Sequence, residues 1–529
     1  MTNDVIPKRA DAVVVGGGHN GLVAASVLAQ AGLDVLLLER AATLGGATRT
    51  ENCFPAVPGL RQSTGAYLLG PMPPEILALA GGRIRPLRRD PHYVLPTQGG
   101  AGSPYLSFGR DRAATRAQME RTFSADDVGA DDALQAELAA LREDLAPAWL
   151  AEPLPIDDTA ERYIRPALRD VFVDLVRGTV VDYLSRFGFE SELLVAMYTV
   201  TDGLSGLTAG PDTPGTGHNF LVHNMCRLPG ADGTWMVPEG GMGAVSGAFA
   251  DVAAMAGAVL VSGVEVATLS VHGGAVSGVV LADGREISAR AVLAACDPWR
   301  AVAVAGDHAP ADLVGRLEEI RRPGTALKVN LALRDLPRLA CLPDGAPSPW
   351  GSTVHLIPDA TGRPLDAVRA MWRDVEAGRL PDFPTMEWYV HTTVDPSLQD
   401  AQGHHSSALF VQSVPFQPAG TTWAEALPSY VEHLLAVADR FAPGTSDLVA
   451  DTFALPPPEI ERHFGITGGH IHHVDNAVAF ADRMPYGTGL PGFYAGGAGC
   501  HPAGSVIGAA GWNSARRILT DLGVGQTPR

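Results

Sequence analysis

The pattern of apolar and polar positions near the N-terminus predicts a strand, a helix and a second strand. Residues 12–15 and 35–38 are uninterrupted apolar runs, as expected for short buried strands. Between the two runs, small apolar residues recur along one helical face at Ala24, Ala25, Leu28 and Ala29. This order of elements indicates a βαβ unit.

Three glycines occupy the turn between the first strand and the helix in the order G-x-G-x-x-G. Gly16 permits a tight turn, Gly18 leaves room for a pyrophosphate, and Gly21 lets the helix pack closely on the strand. The second strand ends at Glu39, about 20 residues later, where a carboxylate accepts hydrogen bonds from adenosine ribose hydroxyls. The glycines alone also fit an ordinary turn. The complete unit predicts a site for a dinucleotide without a 2′-phosphate.

The later patterns predict that the chain leaves the nucleotide-binding fold and returns to it twice. Strand-like runs after residue 80 and helical periodicity over residues 164–176 indicate a separate substrate domain. A helix is expected over residues 242–256, and the strand-like runs at 259–261, 264–267, 278–281 and 291–295 are expected to rejoin the first sheet. The predicted fold class is α/β. It combines a Rossmann-like cofactor domain built from residues 1–79, 231–300 and 465–529 with a mixed α+β substrate domain at 80–230 and 301–464.

A second glycine-rich segment follows the apolar run 493–495. Its glycines precede a predicted helix over residues 512–519 and are Gly496, Gly497, Gly499, Gly504, Gly508 and Gly511. A flavin needs such a distant contact because its ribityl chain carries the ring away from the first βαβ unit. A helix N-terminus also stabilises negative charge on a reduced ring. The two segments together favour FAD over a nicotinamide cofactor.

Charge and composition exclude several function classes. The chain has 39 basic and 58 acidic residues, a formal net charge of -19, which repels nucleic acid. Its five cysteines form no C-x-x-C pair, and His470, His472 and His473 lack a further ligand set, so no metal site is predicted. No signal peptide or transmembrane run is visible, so we expect a cytoplasmic protein. Peripheral membrane contact and the oligomeric state stay open.

Through four motifs the sequence resembles the phytoene-desaturase-like FAD-dependent oxidoreductases, a family of amine-oxidase-type flavoproteins. It resembles the non-carotenoid branch of this family more than the carotenoid desaturases or the carotenoid isomerase. The motifs lie at residues 16–22, 214–225, 238–243 and 493–511. The resemblance implies bound FAD and a small or medium, largely apolar organic substrate. Together with the glycine motif it assigns cofactor contacts to Gly16, Gly18, His19, Asn20, Gly21, Glu39, Arg40, Gly45, Gly46, Arg49, Val266, Gly497, Ala498, Gly499 and Gly508.

Three residues are candidates for catalysis. His501 follows the flavin loop and can position substrate or accept a proton, or else only hold the loop by a hydrogen bond. Cys500 stands where the family usually has threonine, and His223 lies in the motif 214–225. Because a flavin itself accepts hydride, a strong catalytic base is not required.

Two enzyme functions remain open. The first is an FAD-dependent dehydrogenase or desaturase that takes hydride from a C–H bond, giving C=C or an oxidised C–N bond, with oxygen or a quinone as electron acceptor. The second is a redox-neutral isomerase that uses reduced FAD to move double bonds. A silent FAD-binding scaffold is disfavoured because the flavin-facing glycines are intact.

Overall fold

The computed structural model describes residues 6–101, 103–346, 348–358 and 362–524. Its strands are β1 Ala12–Val15, β2 Val35–Glu39, β3 Pro86–Leu87, β4 Tyr93–Pro96, β5 Tyr105–Phe108, β6 Val237–Pro238, β7 Val259–Ser262, β8 Val266–His272, β9 Ala275–Leu281, β10 Glu286–Ser288, β11 Ala291–Ala294, β12 Leu327–Leu333, β13 Thr353–Leu356, β14 Met386–Val390, β15 His405–Val411, β16 Val449–Leu455 and β17 Phe493–Ala495. Its helices are α1 His19–Gln30, α2 Pro74–Leu79, α3 Arg112–Thr122, α4 Ala125–Leu145, α5 Ile156–Tyr163, α6 Arg169–Arg177, α7 Val180–Ser185, α8 Glu192–Tyr198, α9 Thr216–His223, α10 Met242–Met255, α11 Pro298–Ala305, α12 Ala311–Glu319, α13 Pro364–Glu376, α14 Trp423–Asp439, α15 Thr445–Leu448, α16 Pro457–Phe464 and α17 Ala509–Asp521.

Parallel strands from distant parts of the chain form a five-stranded sheet in the order β17-β11-β1-β2-β7. Every neighbouring pair in this sheet is parallel. The central strands β1 and β2 are buried, as expected for a parallel sheet covered on both faces. Helix α1 packs against α10 and α17, so the N-terminal, middle and C-terminal segments share one core. The predicted Rossmann-like α/β fold is confirmed.

The strands β8, β9 and β10 form a separate antiparallel sheet. The expectation that the runs at 264–267 and 278–281 would rejoin the parallel sheet is wrong, whereas the runs at 259–261 and 291–295 do so as β7 and β11. A tight turn at Gly273 and Gly274 joins β8 to β9, and so short a connection produces an antiparallel hairpin. A parallel neighbour would need a long crossover.

A seven-stranded sheet in the order β16-β12-β15-β14-β13-β4-β5 forms the second part of the molecule. Its central strands β12, β14 and β15 are buried almost throughout and carry a second hydrophobic core. The strand β4 lies in this sheet, outside the nucleotide-binding fold, as predicted. The exact domain boundaries stay a prediction.

Proline limits one predicted helix. The apolar repeat over residues 164–176 predicted a continuous helical face, but α5 ends at Tyr163 and α6 begins only at Arg169. Pro166 lies between them, where a ring without an N–H interrupts helical hydrogen bonding. Ser191 caps α8, because its side chain accepts a hydrogen bond from the backbone N–H of Leu194. None of the helices in the described ranges is long and apolar enough to cross a membrane.

Candidate functional site

The glycine turn between β1 and α1 has the geometry that a dinucleotide requires. Gly16 adopts a φ of 109°, which a residue with a side chain rarely adopts. A Cβ atom on Gly21 would lie 2.1 Å from the carbonyl oxygen of Gly16, so only glycine lets the helix pack there. A Cβ atom on Gly18 would meet no atom within 4 Å. The space beside Gly18 is therefore open at the N-terminus of α1, where a pyrophosphate binds favourably.

The Glu39 carboxylate is fixed at the end of β2 by two backbone N–H groups. The N–H of Gly17 donates to Oε2 and the N–H of Ala41 donates to Oε1, both over 2.7 Å. A carboxylate has about four acceptor positions, so each oxygen keeps a lone pair for a ribose hydroxyl. Glu39 thus joins the glycine turn to the adenosine end of the proposed FAD site.

One large cavity, about 1130 Å³ in volume, begins at this turn and extends to the seven-stranded sheet. Nine of the predicted cofactor residues line it: Gly16, Gly18, His19, Asn20, Glu39, Arg40, Gly46, Val266 and Ala498. They come from the N-terminal, middle and C-terminal segments of the chain. The open space at Gly18 and the carboxylate at Glu39 fit a dinucleotide such as FAD.

The other six predicted cofactor residues do not line the cavity. Gly45 binds the turn directly, because its N–H donates to the Gly17 carbonyl over 2.8 Å. The Arg49 guanidinium stacks on Phe464 at 5.1 Å and donates to the carbonyl of His463 over 3.1 Å. Gly21, Gly497 and Gly499 lie so close to neighbouring atoms that a side chain would not fit. Gly508 is the N-cap residue of α17. Direct contact of these residues with FAD stays a prediction.

His501 and Cys500 do not face the cavity in this structure. The Nε2 atom of His501 lies 2.9 Å from the carbonyl oxygen of Ala148, and burial lowers the pKa of the imidazole to about 4. Cys500 is buried in the core beneath the parallel sheet, and burial raises the pKa of its thiol to about 12. The hydrogen bond favours the structural alternative for His501. The catalytic roles of His501 and Cys500 stay predictions.

His223, by contrast, lines the cavity. Its Nδ1 atom lies 3.7 Å from Oδ1 of Asp202, and its ring lies 5.3 Å from that of Trp235. It therefore stays a candidate for substrate contact.

The neighbouring histidine tract is held by structural bonds: His470 Nε2 lies 3.2 Å from Asp475, and His472 Nε2 lies 3.1 Å from the Ser205 carbonyl. Within the described residues, no group of three or more His, Cys, Asp or Glu side chains is placed to hold a metal ion.

The sequence interpretation missed a buried polar group where the cavity meets the seven-stranded sheet. Glu387, on β14, accepts hydrogen bonds from Gln412 over 2.8 Å, from Ser205 over 3.3 Å and from the Tyr67 hydroxyl. Burial raises the pKa of the Glu387 carboxyl. Three donors on one buried carboxyl fix the position of Tyr67, whose ring lines the cavity.

Lys328, on β12, lines the same part of the cavity and is only 4% exposed. Its Nζ atom lies 2.5 Å from the carbonyl oxygens of both Ser63 and Gly65, and 5.1 Å from the centre of the Tyr67 ring. Burial lowers the pKa of this amine well below its ordinary value. A charged residue inside an apolar strand was the signal that could have identified Lys328 and Glu387 from sequence.

These features define an FAD-dependent oxidoreductase: a Rossmann-like fold, a dinucleotide turn and one cavity that joins the turn to buried ionisable groups. The sequence pattern described as "Flavin containing amine oxidoreductase" matches residues 21–334. The chain belongs to this family, and FAD is its cofactor.

Similar proteins cover the whole chain. A mouse protein named pyridine nucleotide-disulfide oxidoreductase domain-containing protein 2 is 30% identical, over 98% of this chain and 95% of its own. The hydroxyneurosporene desaturase of Cereibacter sphaeroides is 26% identical, over 98% of both chains. Among solved structures, an oxidoreductase from Methanosarcina mazei matches with a TM-score of 0.62 at 16% identity, over 96% of this chain and 99% of its own. The structural match supports the fold.

Proposed function

We propose that this chain is a dehydrogenase that removes hydride and a proton from an organic substrate, forming C=C or an oxidised C–N bond. When bound, FAD supplies the acceptor for the hydride and its two electrons. The observation that carries the proposal is the single cavity, which connects the dinucleotide turn at Gly18 with the buried side chains of Tyr67, Lys328 and Glu387. A substrate held there is shielded from bulk water on the side of the seven-stranded sheet.

Lys328 is the proposed acceptor of the substrate proton. A neutral amine has two N–H groups and one lone pair, and the carbonyls of Ser63 and Gly65 account for the two N–H groups. The lone pair then remains free toward the cavity. Burial without an acidic partner favours this neutral form, which is the form that a general base requires.

Tyr67 and Glu387 are proposed to position the substrate beside Lys328. The Tyr67 ring stacks on that of Tyr389 with centroids 4.5 Å apart and planes inclined by 8°. The hydrogen bond to Glu387 then fixes the remaining rotation of the phenol. A rigid aromatic wall holds an apolar or unsaturated group at low entropic cost.

The relatives agree with dehydrogenation, since the desaturase from Cereibacter sphaeroides carries that activity in its name. Oxygen or a quinone is the proposed final electron acceptor. The test begins with mass spectrometry of small molecules that co-purify with the protein. The identified compound is then incubated with the enzyme and a soluble quinone such as menadione.

The proposal predicts one mole of reduced quinone for each mole of product. Product that forms without quinone reduction, and only with pre-reduced enzyme, would assign the redox-neutral isomerase function instead. The two reactions are thereby separated by net electron flow alone.

A further inference from the structure

Three arginines in the cavity wall converge on one segment of the chain, residues 224–235. The Arg88 Nη1 atom donates to the Gly230 carbonyl over 2.6 Å and pairs with Asp232. The Nε of Arg89 donates to the Trp235 carbonyl over 3.0 Å. The Nε of Arg142, on α4, donates to the Asn224 carbonyl over 2.5 Å. We call Arg88, Arg89 and Arg142 the arginine cluster; all three line the cavity.

Two members of the arginine cluster lack an acidic partner. Arg89 is 6% exposed, and its hydrogen bonds go to the Trp235 carbonyl and, over 2.6 Å, to the Thr353 hydroxyl. Arg142 is half-buried and bonds only to a carbonyl. Neither forms an ion pair with an acidic side chain in the described chain. Asp232 is taken by Arg88, and Asp202 pairs with Asn224 and His223.

A buried cation without a counter-charge is costly, and proteins normally supply an acidic partner or a bound anion. Burial lowers the pKa of the Arg89 guanidinium to about 10 and also lowers that of Arg142. Both side chains still carry full charge at neutral pH, because a guanidinium group is not deprotonated in proteins. The wall of the cavity therefore holds two guanidinium groups without an ion-pair partner. Glu387 acts electrostatically on Arg89 without pairing with it, and burial raises the pKa of the Glu387 carboxyl, which disfavours its charged form.

The position of the arginine cluster separates it from the dinucleotide turn. Arg89 is bonded to Thr353 of β13, in the seven-stranded sheet, whereas Gly18 is the N-cap residue of α1 and Glu39 ends β2 in the parallel sheet. The pyrophosphate of FAD is accounted for at the N-terminus of α1. An acidic group at ion-pair distance from Arg89 and Arg142 can then be supplied by the other molecule in the cavity.

We infer that the substrate is an organic acid, whose carboxylate or phosphate group binds Arg89 and Arg142 while its oxidisable part faces Tyr67 and Lys328. This inference rests on the proposed function and adds the substrate class. Guanidinium groups bind both oxyanions through paired N–H donors, so the shared chemistry is the oxyanion. The substrate then has one anionic end and one oxidisable, less polar end.

The test compares three probes with the same eight-carbon chain: octanoate, octyl phosphate and neutral octanamide. Binding to the FAD-loaded, oxidised protein is measured by calorimetry and by the change in flavin absorption. We expect at least one acid to bind about tenfold or more tightly than octanamide, and its affinity to fall with added salt. The better acid identifies the oxyanion.

Two variants make the test specific. Arg142→Gln should weaken the better acid about tenfold or more and leave octanamide unchanged, whereas Arg142→Lys should retain part of the preference. Arg379→Gln is the control, since Arg379 is exposed and pairs with Asp374 outside the cavity wall. FAD content and melting temperature confirm that each variant is folded.

Equal or undetectable binding of the acids and the amide would overturn the inference, and so would an equal loss for acid and amide in Arg142→Gln. The measurement involves no turnover. If the acids bind preferentially but no hydride is transferred to the flavin, only the proposed function is refuted. If hydride is transferred but the acids bind no better than the amide, only the substrate class is refuted.

Discussion

Replacing Gly18 with alanine separates the cofactor site from the stability of the fold. Gly18 has a φ of -72° and a ψ of 172°, an extended conformation that alanine adopts without strain. A Cβ atom at this position meets no atom within 4 Å. The free energy of unfolding of the apo-protein should therefore not fall, and it should rise by at most about 1 kcal/mol because alanine lowers the entropy of the unfolded chain.

The same methyl group would occupy the open space where the pyrophosphate approaches the N-terminus of α1. Displacing the phosphate from even one charged hydrogen bond costs about 1.5–3 kcal/mol. This loss corresponds to a rise in the Kd for FAD of roughly 10- to 150-fold. The structure thus predicts a large effect on cofactor binding and no loss of stability.

The assay titrates FAD into the apo-protein and follows flavin fluorescence, while urea unfolding of the apo-protein gives its stability. Gly247→Ala is the matched control, because Gly247 is exposed on α10 and a Cβ there also meets no atom within 4 Å. It should leave FAD binding unchanged. Gly21→Ala should instead destabilise the fold by about 1–3 kcal/mol or more, since its Cβ would clash with the Gly16 carbonyl.

A Kd for FAD in Gly18→Ala within about threefold of the wild-type value, a difference below 1 kcal/mol, would contradict this prediction. The prediction also fails if the loss of FAD is accompanied by an equal loss of apo-protein stability. In either case the space beside Gly18 is not where the pyrophosphate binds.

Three further predictions concern the buried side chains of Lys328 and Glu387 and the half-buried side chain of Glu51. Lys328→Met should slow the reduction of the flavin by substrate about 10²- to 10⁴-fold with FAD still bound, because it removes the proposed base. An unchanged rate of flavin reduction in rapid mixing would contradict the role of Lys328. Glu387→Gln should lower the free energy of unfolding in urea by about 1–3 kcal/mol, because the amide cannot accept all three hydrogen bonds; no loss would show that they are not formed. Burial alone would raise the pKa of Glu51, but hydrogen bonds from His463 and Thr64 outweigh it and lower the pKa to about 2. The Glu51 carboxylate therefore stabilises the fold above its ordinary pKa of 4.5, and this contribution is lost as the pH falls toward 2. The difference in melting temperature between the wild type and Glu51→Gln should shrink over the same pH range.

The dinucleotide turn of the proposed cofactor site was predictable because its signals are local. Gly16, Gly18 and Gly21 stand in a fixed spacing, and the strand, helix and acid that accompany them follow within one βαβ unit. Each glycine has a steric reason that the sequence alone implies. The family resemblance added Val266, which lies far along the chain yet lines the cavity.

The proposed substrate half was not predictable in the same way, because it depends on pairing between distant strands. Lys328 and Glu387 lie on β12 and β14, which are both neighbours of β15 in the sheet, and Tyr67 reaches them from a segment that precedes α2. No local periodicity encodes such a register. His501 attracted attention because it follows the flavin loop, but its imidazole bonds to Ala148 rather than facing the cavity.

Anaerobic rapid mixing of the oxidised enzyme with its identified substrate tests the central claim most directly. Hydride transfer to FAD predicts bleaching of the flavin absorption in a single turnover, at a rate that falls when deuterium replaces the transferred hydrogen. Product that forms while the flavin absorption stays constant throughout turnover would contradict it.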